Sequence, residues 1–228
     1  MFLKLIIAFV ACACAFAADP LPKPWPSAFT VKFDSNITVT DSVATANPIH
    51  NIMYYDYDIK SQRVDHGAGS YECYKFYYSN EPCTIWFTNE GLFRKLESPL
   101  PDGQPECCLD MPEIKASAPG WATSTDPLPT YAGLETELYS GIKSDHWIFN
   151  TGDPNPCRAP HEYQEEHSTG KPVLFTFPVL EGQQDYHFLT ESLTLGKPKS
   201  TLFDLPKSCR LTDGTPNMCP QPQPEKSK

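Results

Sequence analysis

Cysteine offers this chain its widest choice of chemistry: a nucleophile, a metal ligand or a disulfide. The 228 residues contain nine. Two, Cys12 and Cys14, fall in an N-terminal leader. Cys73, Cys83, Cys107, Cys108, Cys157, Cys209 and Cys219 remain. Zinc sites usually announce themselves through C-x2-4-C pairs, and no mature pair has that spacing. A cysteine nucleophile needs a positioned base, and nothing local favours one of the histidines for that role. Disulfides are the expected use, three of them with one cysteine left over. Cys73 and Cys83 flank a turn and suit a local bridge. Cys107 and Cys108 are adjacent, cannot bond each other without strain, and must reach different partners. Cys219, close to the C-terminus, is the expected odd cysteine, able to join two copies in a disulfide-linked homodimer.

Other candidate chemistry weighs less. His161 and His167 bracket an acidic run, but they stand six apart, and two helical zinc ligands must be four apart to share a face. A solvated acidic loop is expected there. Glu165, Glu166, Asp145 and Asp153 could hold calcium loosely, without the spacing of an EF-hand. Asp56 and Asp65 could serve as a glycosidase pair, although acids beside tyrosines are more often turn or edge residues. No nucleophile elbow, phosphate-binding loop or dinucleotide fingerprint occurs. No catalytic group and no metal site is therefore assigned, and the chain is not expected to be an enzyme. Asn36-Ile37-Thr38 is a glycosylation sequon, placed by its neighbours at a turn leading into a strand.

Aromatic residues make up 12% of the chain. Most must pack a core, but an excess on a curved sheet can also enclose an apolar ligand. The pocket candidates are Tyr55, Tyr57, Trp86, Trp147, Phe175, Phe177 and Phe188. Composition narrows the partners further. The formal charge is -10, which opposes the phosphate backbone of nucleic acids. Twenty-four prolines argue against a helical bundle.

The elements that must hold these residues are short strands. Residues 1–17 read as a signal peptide: a basic start at Lys4, an apolar run, then Ala15-Phe16-Ala17 as the cleavage site. The run is too short to span a membrane, and no later segment is long or apolar enough. Residues 18–27 form a proline-rich lead. Period-two alternation or aromatic and β-branched density predicts strands at 29–33, 36–39, 51–58, 62–66, 71–78, 83–88 and 92–96. Further strands are predicted at 145–150, 173–177, 186–195 and 201–205. Residues 97–130 read mostly as loop. Residues 133–142 suit either a short helix or a strand. Residues 211–228 read as a proline-rich disordered tail, pinned only where Cys219 is bonded. The fold class is mainly β: two stacked antiparallel sheets, as a curved sandwich or half-barrel, with an apolar pocket.

The order of short motifs resembles the ependymin-related and LolA-like secreted proteins. Tyr54-Tyr55-Asp56-Tyr57, Arg63-Val64-Asp65, Cys73 and Pro82-Cys83-Thr84 open the pattern. Cys107-Cys108, Trp121, Tyr131-Ala132-Gly133, Trp147, Phe203-Asp204-Leu205-Pro206 and Cys209 continue it. A similar domain precedes papain-like protease domains in some protists. The resemblance covers residues 29–209 and implies a domain over 28–210 whose two stacked sheets enclose a deep apolar pocket. It implies lipid-like ligands, glycosylation, weak calcium binding and an extracellular setting, and it makes residues 133–142 a strand. The family's cysteine before the tryptophan matching Trp147 is missing here, so its disulfide pairing does not carry over. The expected function is a secreted or extracellular glycoprotein, or one in a lysosomal or vesicle lumen, that binds an apolar, lipid-like molecule. The alternative is a matrix, cyst-wall or cell-surface interaction protein without a small ligand.

Overall fold

The computed structural model describes residues 19–39, 48–77, 80–97, 105–149, 161–179 and 182–220. The expected signal peptide, Asp153 and Cys157 lie outside them. The centre of the molecule is one long strand, β1 (Ala28–Val39). From it β2 (Ile49–Asp56), β3 (Ser61–His66), β4 (Cys83–Phe87), β5 (Leu92–Leu96) and β6 (Cys107–Met111) run outward as an antiparallel meander. A second meander follows: β7 (Thr130–Thr136), β8 (Lys143–Phe149), β9 (His161–Glu166), β10 (Pro172–Val179) and β11 (Gly182–Phe188). It ends beside β1, so the strand order is 6-5-4-3-2-1-11-10-9-8-7. A two-residue strand, β12 (Thr194–Leu195), also pairs with β1. The mainly-β half-barrel is therefore present. Both meanders belong to one continuous open sheet, with β6 and β7 at its edges.

Several local expectations are corrected by pairing. Tyr78 lies outside the described residues, and the strand expected at 71–78 is not found over 71–77, where α1 (Tyr71–Tyr77) is a helix. Its neighbours explain this, because β3 pairs directly with β4, His66 opposite Cys83. The intervening chain has no ladder to join. The turn expected at residues 34–36 does not form, since β1 pairs continuously with β11 from Phe33 to Val39. Asn36 thus sits partly buried within a strand. Residues 161–166 are not a solvated loop but β9, with Tyr163 and Glu165 buried, and only His167 falls in the exposed turn that follows. Residues 97–130 include β6, and residues 201–205 begin in a 3-10 turn, Ser200–Phe203, rather than a strand.

Three disulfides hold the periphery. Cys73–Cys83 ties α1 to β4. Cys107 pairs with Cys209 and Cys108 with Cys219. The odd cysteine is therefore not Cys219. Alternation within β6 sends the two adjacent cysteines to opposite faces, so the C-terminal segment is fastened on both sides of an edge strand. Backbone bonds from Leu109 to Asn217 and from Cys219 to Leu109 then cover that edge. Residues 211–220 are ordered by this docking, while 221–228 lie outside the described residues.

Candidate functional site: the aromatic face of the sheet

Strand register decides which side chains share a face, because directly paired residues point the same way. In one row Phe29 of β1 pairs with Tyr55 of β2. Four residues along β1, Phe33 pairs with Phe188 of β11. Two residues back on β11, Tyr186 pairs with Phe175 of β10, which pairs with Tyr163 of β9, which pairs with Trp147 of β8. Gln184 pairs with Phe177 on the same side. Five of the seven pocket candidates, Tyr55, Trp147, Phe175, Phe177 and Phe188, are thus brought together on one face.

The other two behave differently. Tyr57 lies beyond the end of β2, in the 3-10 turn Tyr57–Ile59, where its partly buried ring stacks against Tyr55 at 6.3 Å. Trp86 is a correction. It pairs with Arg63 and Phe93, which puts it on the opposite face from Ile85 and Phe87. There it is buried against the Cys107–Cys209 bridge, and its indole N–H donates to the carbonyl of Leu202 at 3.3 Å. A dense aromatic run does not reveal which of its members alternation turns away.

Among the described residues no second sheet covers the aromatic face. Its cover comes from α1, whose Glu72 accepts from Gln184 and Tyr186, and from irregular segments outside the predicted pocket. Trp25, from the proline-rich lead, lies 5.6 Å from Phe29 and 5.9 Å from Tyr55 in edge contacts. Trp121, in the 3-10 turn Trp121–Thr123, stacks on Phe149 and meets Tyr163 and Phe175 edge-on. The two indoles touch each other at 5.6 Å. One end of the face is therefore filled: Phe29, Tyr55, Trp147 and Tyr163 are buried. Toward the β10–β11 end, Phe175, Phe177 and Tyr186 are only partly buried. Tryptophans in a proline-rich lead and in a loop are the signal that points to such covers.

The lead is latched by polar contacts to side chains of the face. The indole N–H of Trp147 donates to the carbonyl of Pro20 at 2.9 Å. The backbone N–H of Lys23 donates to the Glu165 carboxylate, and the indole N–H of Trp25 to the hydroxyl of Tyr163. Glu165 is 2% exposed. Burial pushes its carboxyl up to about 7, against the Lys23 N–H and the Tyr163 hydroxyl, which favour the ionised form. Burial also pushes the Tyr55 and Tyr163 hydroxyls up, so both stay neutral.

Beneath α1 lies a second polar group. Glu72 accepts from the hydroxyl of Ser70, the amide of Gln184 at 2.7 Å and the hydroxyl of Tyr186. Ser70 also lies 3.3 Å from His66 Nδ1. Serine, histidine and glutamate together suggest a hydrolytic triad, but the Ser70 hydroxyl donates to the Glu72 carboxylate rather than to the histidine. Burial pushes the His66 imidazole down, so it is neutral and structural. The two carboxylates that could serve glycoside hydrolysis are also apart. Asp56 pairs with Ser61 while Asp65 pairs with Ile52, four rungs or roughly 14 Å along the strands. Among the described residues no cluster of three or more His, Cys, Asp or Glu is placed to hold a metal.

The opposite face carries a cleft of about 540 Å³ under the β7–β8 turn, lined by Glu135, Glu137, Tyr139, Leu174, Asp185 and His187 among others. That turn folds back across the sheet until Tyr139 donates to Asp34 of β1 at 2.7 Å. Burial pushes Glu137 up, but His187, Ser140 and two backbone N–H groups outweigh it and hold the carboxyl at about 2. The cleft is thus the hollow under a docked hairpin, distinct from the aromatic face.

No family model matches the chain. No curated protein matches it either. Among solved structures, an uncharacterised conserved protein from Thermus thermophilus aligns at 13% identity and a TM-score of 0.45, over 83% of this chain and 88% of that one. MucB, in the MucA/MucB complex of Pseudomonas aeruginosa, aligns at 13% identity and 0.42, over 81% of this chain but only 57% of that one. A LolA superfamily protein from Nitrosomonas europaea aligns at 10% and 0.36, over 81% and 93%. Overlaps this loose decide nothing about this chain. Its architecture rests on its own strand pairing, and the ependymin-related resemblance on the motifs alone.

Proposed function

We propose that this chain is a secreted binding protein that holds an apolar, lipid-like molecule against the aromatic face of its open sheet. One observation carries the reading. Among the described residues the face is covered at one end by irregular segments bearing Trp25 and Trp121 and at the other by the short helix α1, not by a second sheet, and Phe175, Phe177 and Tyr186 remain partly exposed. Such a cover can lift without breaking a single ladder hydrogen bond. A continuous partly exposed stripe of large rings offers an acyl or polycyclic chain about 25 cal/mol for each Å² it buries. The three disulfides support an oxidising compartment. The leader and the Asn36 sequon belong to the same reading, with the glycan on a partly buried asparagine. No helix among the described residues is long and apolar enough to cross a membrane. Binding, without chemistry on the ligand, is the activity proposed.

The test is uptake of a neutral apolar dye such as Nile red by the purified, oxidised protein. Saturable binding that a long-chain lipid displaces is the expected result. No uptake at any accessible concentration would remove the carrier reading. It would leave the alternative of a matrix, cyst-wall or surface interaction protein. That alternative gains if a nonreducing gel shows a covalent dimer that Cys157→Ser abolishes.

A further inference from the structure

The aromatic face is not uniformly apolar: besides Glu165 and Asn51 it carries a deeply buried amide, Gln184, whose orientation is fixed. Gln184 is 1% exposed. Its register places it beside Phe177 and two residues from Tyr186, whose rings meet edge-on at 5.0 Å. Its Nε2 lies 2.7 Å from Glu72 Oε1. A carboxylate only accepts, so the amide nitrogen must be the atom facing Glu72. The amide cannot be flipped, and the carbonyl oxygen points away from Glu72. That oxygen is buried and has no hydrogen-bond partner among the described residues. An orphaned acceptor in an apolar setting costs free energy until a donor reaches it.

Glu72 sharpens the chemistry. Its oxygens accept from Gln184, Tyr186 and Ser70, all neutral donors. Among the described side chains no Lys or Arg is one of those partners, and His66, whose imidazole burial pushes down, lies 3.7 Å away. A second carboxylate brought to Gln184 would meet an acceptor where it needs a donor, with a like charge on the far side of the same amide.

We propose that the ligand of the aromatic face carries a hydrogen-bond-donating head, a hydroxyl or an ammonium, which Gln184 Oε1 accepts while Phe177 and Tyr186 flank the adjoining chain. Anionic fatty acids are the disfavoured class. This rests on the carrier reading above and names the kind of molecule carried.

The experiment compares three probes of equal chain length, dodecanol, dodecylamine and laurate, as competitors of Nile red at pH 8. At least tenfold tighter binding of dodecanol or dodecylamine than of laurate is expected. The two donor arms separate an alcohol from an amine. Gln184→Leu should bring the dodecanol-to-laurate ratio to within about threefold of unity. Gln184→Met serves the same purpose if the first variant folds poorly, and the wild-type comparison needs no variant at all. Laurate binding as tightly as both donors to the wild-type protein overturns this inference while leaving the carrier reading intact. Failure of Nile red itself to bind removes the carrier reading, and this inference falls with it.

Discussion

Glu165, in β9, and Glu137, in the β7–β8 turn, show how two buried carboxylates of one molecule acquire opposite electrostatics. Glu165 faces aromatic rings and is held at about 7, mainly by burial. A carboxyl raised in the folded state contributes stability that is fully present below its ordinary value of 4.5 and lost as pH rises through about 7. Glu165→Gln should therefore raise the melting temperature at pH 8, with the advantage shrinking to nothing by pH 4; equal melting curves at pH 8 would contradict the assignment. Glu137 is buried too, but its donors hold it at about 2. Its contribution is present above 4.5 and lost as pH falls through about 2. Glu137→Gln should cost roughly 2 kcal/mol at neutral pH, read by denaturant unfolding, because it weakens hydrogen bonds to a charged acceptor. Neither role is legible in the sequence. Glu165 sits in a run so acidic that it reads as solvent-facing, and only its neighbour across the strand shows which way it points.

At the scale of elements, the covers of the aromatic face make the sharpest contrast. Trp25 and Trp121 sit on irregular segments, whereas Trp86 is buried on the other face. Trp25→Ala or Trp121→Ala should speed dye uptake in stopped-flow fluorescence. Trp86→Ala should leave the uptake rate unchanged and lower stability by roughly 3–5 kcal/mol, the usual cost of truncating a core tryptophan. Strands with strong aromatic or β-branched patterning, such as β2, β4 and β10, are legible from sequence, and so are the five aromatics that meet on one face. The misread elements share a cause. Local density in residues 71–78 favours a strand, but β3 and β4 pair with each other and exclude it. In β6, two cysteines and an aspartate disguise a short edge strand whose order comes from covalent ties more than a hundred residues away.

The whole molecule is an open sheet closed by attachments rather than by strands. At the β6 edge the C-terminal segment is bonded through Cys107–Cys209 and Cys108–Cys219, closing loops of 102 and 111 residues. Loops of that length stabilise by about 4–5 kcal/mol each in the chain-entropy account. Tryptic mapping without reduction should recover these two links and Cys73–Cys83, with Cys157 in none of the three. At the other end the proline-rich lead lies over the aromatic face. Attachments of this kind give the sheet a covalently tied edge and a non-covalent cover from the lead, the arrangement on which the proposed carrier role rests. Native mass spectrometry of the protein from its own secretion tests this most directly. A bound apolar molecule, retained at low activation energy and lost on denaturation, is the predicted result. A ligand-free mass at every energy, together with no uptake of an apolar dye, would contradict it.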